Sequence, residues 1–222
     1  MSLFSLDRQL IFYGSYHNNK VNQIIHFIFV PIIVWTVCVW LAYTPAFYSF
    51  DCPFMPSQPE EKKVNPLVCN GATLLIGVYS LYYIILDRIA GITWMLFIGM
   101  PIWLGSELFQ GYFPETAWMW ALGIHIMSWF MQIVPGHMIA EKRKPALMDS
   151  FVQSLLLAPL FVWFELLFLL GYRKGLYHHL QTEIQSELRG IAAATKKTIV
   201  TSNEEKEPLL SSPPDQHDDI QR

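Results

Sequence analysis

Histidines within apolar stretches are the residues of this chain best suited to chemistry. Four lie in or beside long uncharged segments: His17, His26, His125 and His137. Imidazole is a preferred ligand for iron, zinc and copper, and a carboxylate completes many iron sites. Ionisable groups are costly inside a membrane, so their presence there points to a function. Each one alone could instead bridge two helices or bond a buried carbonyl.

These residues belong to two polar clusters. The first reads YHNNKVNQIIH over residues 16–26, and the second reads QIVPGHMIAEKRKPAL over residues 132–147. Glu141 stands four residues after the histidine of the second cluster, which places both on one helical face. It could ligate a metal or hold an imidazole in position. Asn18 and Asn22 could cap a helix or orient the imidazoles by hydrogen bonds.

Spacing limits which histidines can meet. His17 and His26 would lie about 13.5 Å apart on opposite faces of a straight helix, so they share a metal only if His17 is in a loop. His125 and His137 would lie about 18 Å apart on an unbroken helix, although Pro135 is expected to break it. Four membrane crossings between the clusters would return both to one membrane face. On spacing alone, His125 is the least suitable of the four histidines for a shared metal site.

The elements that must position these residues are membrane helices. Of the 222 residues, 53% are hydrophobic and only 15% are charged, against about 25% charged in a typical soluble domain. A membrane helix needs about 20 apolar residues. The sequence therefore predicts an all-α, polytopic membrane helix bundle with four or five membrane segments, the third kinked or re-entrant at Pro101, and it argues against a soluble enzyme. The five segments are Val21–Phe50, Val64–Leu86, Ile89–Ser106, Thr116–Ala140 and Ser150–Tyr172.

Charge and cysteine content exclude other classes. The formal net charge is −3, which gives no basic surface for nucleic acid. Three cysteines without a CxxC spacing argue against a disulfide framework and a thiolate zinc site. If all five segments cross, about six Lys and Arg residues flank one membrane face and five flank the other, so the positive-inside rule assigns no orientation.

The C-terminal part of the chain differs in composition from the rest. We expect a membrane domain over residues 1–175, a surface helix over 176–200, and a disordered polar tail over 201–222. Within the tail, Glu205, Leu209 and Leu210 resemble an acidic dileucine sorting signal, which would direct the protein to endolysosomal membranes.

The two clusters together resemble one family. The pattern YHxNxxNxxIHxxxxP fits residues 16–31, GHxxxExRxPAL fits residues 136–147, and APLF follows at 158–161. These residues are similar to those of the membrane-embedded 2-hydroxy fatty acid dioxygenases of fatty acid α-oxidation. The resemblance covers about residues 1–175.

The resemblance implies an Fe(2+)-dependent enzyme of the endoplasmic reticulum membrane, acting in phytosphingosine breakdown. Its partners would be a 2-hydroxy fatty acid, O2 and membrane lipid, with no obligate protein partner. Cleavage of the C1–C2 bond would leave a fatty acid one carbon shorter. Arg143 or Lys142 could then pair with the substrate carboxylate. Only the resemblance selects iron over zinc or manganese, and it implies four iron ligands: His17, His26, His125 and His137.

Two other functions remain open from the sequence. The chain could be a non-catalytic membrane scaffold that binds lipid or directs trafficking, with histidines that only tie helices together. It could also be a proton-coupled transporter that uses Glu107, Glu165 and His125 as a relay. The absence of two matching halves argues against the transporter.

Overall fold

The computed structural model describes residues 4–50 and 67–210, and helices dominate this part of the chain. A two-stranded antiparallel sheet pairs β1 with β2. The predicted helical fold is confirmed. The elements are α1 (Leu6–Tyr16), α2 (Lys20–Leu41), β1 (Tyr48–Phe50), β2 (Leu67–Cys69), α3 (Gly71–Leu86), α4 (Arg88–Trp94), a π-helical stretch (Met95–Gly99), α5 (Met100–Tyr112), α6 (Ala117–Met131), a second π-helical stretch (Gln132–Glu141), a 3-10 turn (Ala146–Met148), α7 (Phe151–Leu169) and α8 (Lys174–Leu210).

Four helices are long and apolar enough to cross a membrane: Lys20–Leu41, Arg88–Tyr112, Ala117–Glu141 and Phe151–Leu169. The shorter α3 is also apolar. The second of these helices includes a π-helical stretch just before Pro101, and it continues to Tyr112, beyond the expected third segment.

Side-chain caps start several of these helices. The Asn19 side chain accepts from the Val21 N–H at the start of α2, and the Asp87 side chain accepts from the Ala90 N–H at the start of α4. Asn70 forms a capping box with Thr73 at the start of α3. Each cap bonds a backbone N–H that the helix leaves free, so polar residues mark where the chain reverses.

Helices α2, α3, α4–α5 and α6 form an antiparallel bundle with two distinct ends. Asn22 of α2 bonds Glu141, whereas Trp40 bonds the carbonyl of Trp118. The start of α3 meets the end of α2, because the Gly71 N–H donates to the Thr44 hydroxyl. One end, here named the histidine end, therefore holds the start of α2 and the end of the second π-helical stretch. The other is named the far end.

Helix α7 starts and finishes at the histidine end. Asp149, two residues before α7, accepts from the Tyr16 hydroxyl at 2.6 Å. Beyond α7, Tyr172 and Arg173 both bond Asp87 at the α3–α4 turn, the latter at 2.7 Å. Ser150–Tyr172 was expected to be a crossing segment. In the structure α7 packs against α1, α2 and α4, and the residues that flank it on both sides contact the histidine end.

The lipid-facing surface is apolar, as a membrane bundle requires. Helix α3 exposes a stripe of large hydrophobic side chains at helical spacing, and its opposite side packs against α2, α4 and α7. Exposed apolar stripes of this kind suit lipid contact. The stripe consists of Leu74, Val78, Leu81 and Ile85.

Helix α8 is longer than the surface helix expected for 176–200. It begins at Lys174 and continues to Leu210, through the first ten residues of the segment expected to be disordered. Leu180 and Ile184 are buried, and Ile184 contacts Gly14 of α1. The remaining tail, residues 211–222, lies outside the described residues, and the sorting signal stays a prediction.

Candidate metal centre

Three of the four predicted histidines meet at the histidine end. His17 lies between α1 and α2, as sharing a site with His26 requires. His26 lies in the second turn of α2, and His137 comes from the second π-helical stretch. All three side chains are buried, and one ring nitrogen of each lies within 4.8 Å of the others. We name these residues the histidine triad.

The π-helical stretch determines the position of His137. We expected Pro135 to break the helix, and this expectation is wrong: the helix continues as a wider π-helix from Gln132 to Glu141. A π-helix bonds residue i to i+5, so it places Gln132 and His137 on one face. The stretch ends at Lys142, which has the left-handed φ of 56°.

Gly136 lets the π-helix approach α2 closely. A Cβ atom at this position would lie 2.5 Å from Oδ1 of Asn22 and 3.6 Å from Cε1 of His26. Real Cβ atoms essentially never come that close to another heavy atom. A side chain here would therefore displace the Asn22 side chain, whose Nδ2 bonds Glu141.

The ring nitrogens of His17 and His26 face each other without a hydrogen between them. Nδ1 of His17 lies 2.9 Å from the Tyr13 carbonyl, and Nδ1 of His26 lies 3.0 Å from the Asn22 carbonyl. A carbonyl only accepts, so both Nδ1 atoms carry the proton. The two Nε2 atoms, 3.2 Å apart, then point lone pairs at each other, which is unfavourable unless a cation lies between them.

The distance between Nε2 of His17 and Nε2 of His26 fits a shared metal ion. Two nitrogens bound to one ion at about 2.1 Å lie about 3.0 Å apart in octahedral geometry and about 3.4 Å apart in tetrahedral geometry. The observed 3.2 Å lies between these values. Nδ1 of His137 is buried and has no hydrogen-bond partner, so this imidazole also has a nitrogen available.

Burial keeps the site in the protonation state that a metal needs. Loss of water around His17 lowers the pKa of its imidazole well below 6.5, and the neighbouring His26 and His137 lower it further. A neutral imidazole offers a lone pair, whereas a charged one cannot ligate. Tyr13 stacks on the His17 ring at 4.0 Å between centroids and holds it in place.

Glu141 supports the site by hydrogen bonds. Its carboxylate accepts from the backbone N–H groups of Asn18 and Asn19 and from Nδ2 of Asn22. These three donors join the end of the π-helix to the start of α2. Of the two roles that the sequence left open for Glu141, the contacts favour positioning over ligation. Asn22 positions His26 through its carbonyl.

The structure does not bring His125 to the triad. Its Nδ1 lies 2.7 Å from the Thr36 hydroxyl, and its Nε2 accepts from the Trp129 indole at 2.9 Å. Both ring nitrogens are therefore engaged elsewhere. The spacing argument, which placed His125 last, agrees with this arrangement.

The side chains of the predicted carboxylate-binding residues do not line the cavity beside the triad. The Arg143 guanidinium donates to the Ser15 carbonyl at 2.7 Å and lies over the Tyr16 ring. Lys142 is exposed. Arg143 holds the loop before α7 against α1, and neither cation lines the cavity beside the triad.

That cavity, of about 130 Å³, opens next to the three imidazoles. Its walls are mostly aliphatic and aromatic side chains from α2, α3, α6 and α7. Two polar residues in the wall, Gln132 and Ser154, were not predicted as site residues. Gln132 opens the second cluster, but only the π-helix turns it toward the site, and no pattern marks Ser154.

The residues of the expected proton relay do not meet. Glu107 accepts from Asn70 at the far end, whereas Glu165 lies 3.4 Å from Gln23 near the histidine end. His125 bonds neither of them. This separation gives the transporter hypothesis no support.

Comparison with known proteins identifies relatives of this chain. Residues 3–170 match the family described as 2-hydroxy-palmitic acid dioxygenase Mpo1-like. The 2-hydroxy-palmitic acid dioxygenase MPO1 of Saccharomyces cerevisiae is 32% identical over 189 residues, which cover 85% of this chain and 95% of the yeast protein. No solved structure matches the chain. Because the family match covers residues 3–170, which include α1 to α7 and the histidine triad, this chain belongs to the Mpo1-like family of 2-hydroxy-palmitic acid dioxygenases.

Proposed function

We propose that this protein is an iron(II)-dependent dioxygenase that converts 2-hydroxy fatty acids to fatty acids one carbon shorter. The observation that carries this proposal is the 3.2 Å distance between Nε2 of His17 and Nε2 of His26, both buried beside an apolar cavity. As the resemblance implies, we assign the reaction to phytosphingosine breakdown at the endoplasmic reticulum membrane.

The proposed reaction balances without a further reductant. R–CH(OH)–COOH and O2 give R–COOH, CO2 and H2O. The C1–C2 bond breaks, C1 leaves as CO2, and C2 becomes the new carboxyl carbon. The hydroxy acid supplies all four electrons that reduce dioxygen to the oxidation level of water.

The residues of this chain have separate roles in that reaction. His17, His26 and His137 would hold the iron, which supplies dioxygen binding and electron transfer when bound. Three protein ligands leave positions for substrate and oxygen. The apolar cavity takes the acyl chain and excludes water, while Glu141 keeps α2 and the π-helix in register.

Product analysis tests this proposal. The purified chain, loaded with iron(II) under anaerobic conditions, is given 2-hydroxypalmitic acid and then oxygen. We expect pentadecanoic acid and CO2 in equal amounts from wild type, and none from His26→Ala. Iron-loaded wild-type protein that forms no pentadecanoic acid would contradict the proposed reaction and favour the scaffold.

A further inference from the structure

Besides Nδ1 of His137, two buried polar atoms in the cavity wall have no hydrogen-bond partner. They are Nε2 of Gln132 and Oγ of Ser154, and each residue is only 5% exposed. A buried polar group without a partner costs free energy, so native proteins rarely leave one. Two such groups in one cavity indicate that a ligand supplies the missing bonds.

The two groups come from different elements and flank the triad. Gln132 lies five residues before His137 in the π-helix, so the wide turn points it to the same side. Ser154 lies in the first turn of α7. Both line the cavity that the triad also lines, so a molecule that fills the cavity can contact the amide and the hydroxyl as well as the imidazoles.

The rest of the cavity suits an acyl chain. Val30, Val34 and Val37 form a stripe on α2 that leads away from His26 toward the far end, where Leu75 of α3 joins the wall. Val37 follows His26 by eleven residues, or about 16 Å of helix. An apolar stripe of this length suits an acyl chain whose head group lies beside the triad.

Charged side chains do not take part in this wall. Among the residues that the structure describes, no Lys or Arg lines the cavity. The donors next to the triad are the neutral amide and hydroxyl, and a carboxylate or hydroxyl oxygen is the natural acceptor for both.

We propose that Gln132 and Ser154 form the head-group site for the acid substrate. Nε2 of Gln132 and the hydroxyl of Ser154 donate hydrogen bonds to the carboxylate and 2-hydroxyl oxygens, and they orient the C1–C2 bond at the triad. The identity of the acid rests on the proposed function, whereas the head-group site rests on the two unpartnered donors.

Binding without turnover tests the site. The full-length chain is loaded with iron(II), kept free of oxygen, and titrated with 2-hydroxypalmitic acid. We compare wild type with Gln132→Met and Ser154→Ala, which remove the donors and keep similar volumes. Loss of a hydrogen bond to a charged group predicts a Kd about tenfold to a hundredfold higher for each variant. The iron content should not change.

Ser80→Ala is the matched control. Ser80 is a buried serine whose hydroxyl also lacks a partner, but it does not line the cavity. We expect its Kd to equal that of wild type. Ser154→Thr, which keeps a hydroxyl, should bind within about threefold of wild type. If Ser154→Ala does not fold, Gln132→Met still tests the site.

The outcomes separate this proposal from the proposed reaction. Unchanged Kd values for both donor variants, or a wild type that binds no 2-hydroxypalmitic acid, would overturn the head-group site. Weakened binding in the variants, together with no pentadecanoic acid from wild type under oxygen, would keep the site and refute the reaction.

Discussion

Gly136 shows how one residue decides whether the metal centre can form. Gly136 directly precedes His137 in the second π-helical stretch, and its Cα faces Asn22 of α2. Asn22 in turn bonds His26 and Glu141. The absence of a side chain at Gly136 therefore leaves room for Asn22 and His26 next to the π-helix that carries His137.

Gly136→Ala should weaken metal binding. The added Cβ would lie 2.5 Å from Asn22 Oδ1, and overpacking of this kind typically destabilises a protein by about 1–3 kcal/mol. We expect a lower melting temperature in detergent and a weaker affinity for iron(II). Gly123→Ala, where nothing lies within 4 Å of the new Cβ, should match or exceed the wild-type melting temperature. Equal iron affinity in both variants would contradict this role of Gly136.

The sequence predicted those residues of the site that residue type and spacing can identify. His17, His26 and His137 were predicted from residue type, neighbouring polar residues and the parity of crossings. His125 was included through the resemblance, and its contacts with Thr36 and Trp129 depend on how α2 packs against α6. Such contacts between distant segments leave no pattern in the sequence.

The carboxylate of Glu141 joins the second π-helical stretch to the start of α2. Glu141 ends the π-helix and accepts two backbone N–H groups just before α2, where an anion also interacts favourably with the helix dipole. Asn19 adds a bond from its Nδ2 to the Ala140 carbonyl. These contacts explain why the two polar clusters, more than a hundred residues apart, contain acidic and amide residues at these positions.

Glu141→Gln should destabilise this junction without removing a ligand. The amide loses the charge and offers one accepting oxygen where the carboxylate offered two, so we expect the free energy of unfolding to fall by about 1–3 kcal/mol. Iron should still bind, with lower affinity. Thermal unfolding in detergent with and without iron(II) measures both effects.

Glu115→Gln provides the control for that change. Glu115 is exposed in the turn before α6 at the far end, so its substitution should change the unfolding free energy by less than about 0.5 kcal/mol. If Glu141→Gln abolished iron binding while the chain stayed folded, Glu141 would be a ligand instead of a positioning residue.

The sequence also predicted the helices better than their irregularities. Uncharged length located α2, α3, α4–α5 and α6, because a membrane requires long apolar segments. It did not predict a π-helix at Pro135, since proline normally interrupts an α-helix. The wider turn tolerates the missing N–H because the helix is held from outside by Glu141 and the close contact at Gly136.

The position of α7 decides which orientation of the protein in the membrane is expected. With both flanks of α7 at the histidine end, we expect the bundle to cross the membrane four times, through α2, α3, α4–α5 and α6, so that α1 and α8 lie on one side. Between α2 and α3 (residues 42–70) and between α5 and α6 (residues 113–116), Lys62 and Lys63 are the only Lys or Arg residues. The positive-inside rule then predicts that the histidine end faces the cytoplasm. The cations at that end are Arg8, Lys20, Arg88, Lys142, Arg143, Lys144, Arg173 and Lys174.

A glycosylation map tests this orientation in cells. We expect an acceptor site inserted between Gln58 and Pro59 to be glycosylated, because it faces the lumen, and one added after Arg222 to stay unmodified. If α7 crossed the membrane, the two ends of the chain would lie on opposite sides. Glycosylation at both the Gln58–Pro59 site and the C-terminal site would therefore contradict the four-crossing arrangement.

Iron stoichiometry tests the central claim most directly. The detergent-purified chain is reconstituted with iron(II) without oxygen, and bound iron is measured by elemental analysis in wild type, His17→Ala, His137→Ala and His125→Ala. We predict about one iron per chain in wild type and His125→Ala, and almost none in the two triad variants. No iron in wild type, or equal iron in all four proteins, would contradict the histidine triad as a metal centre.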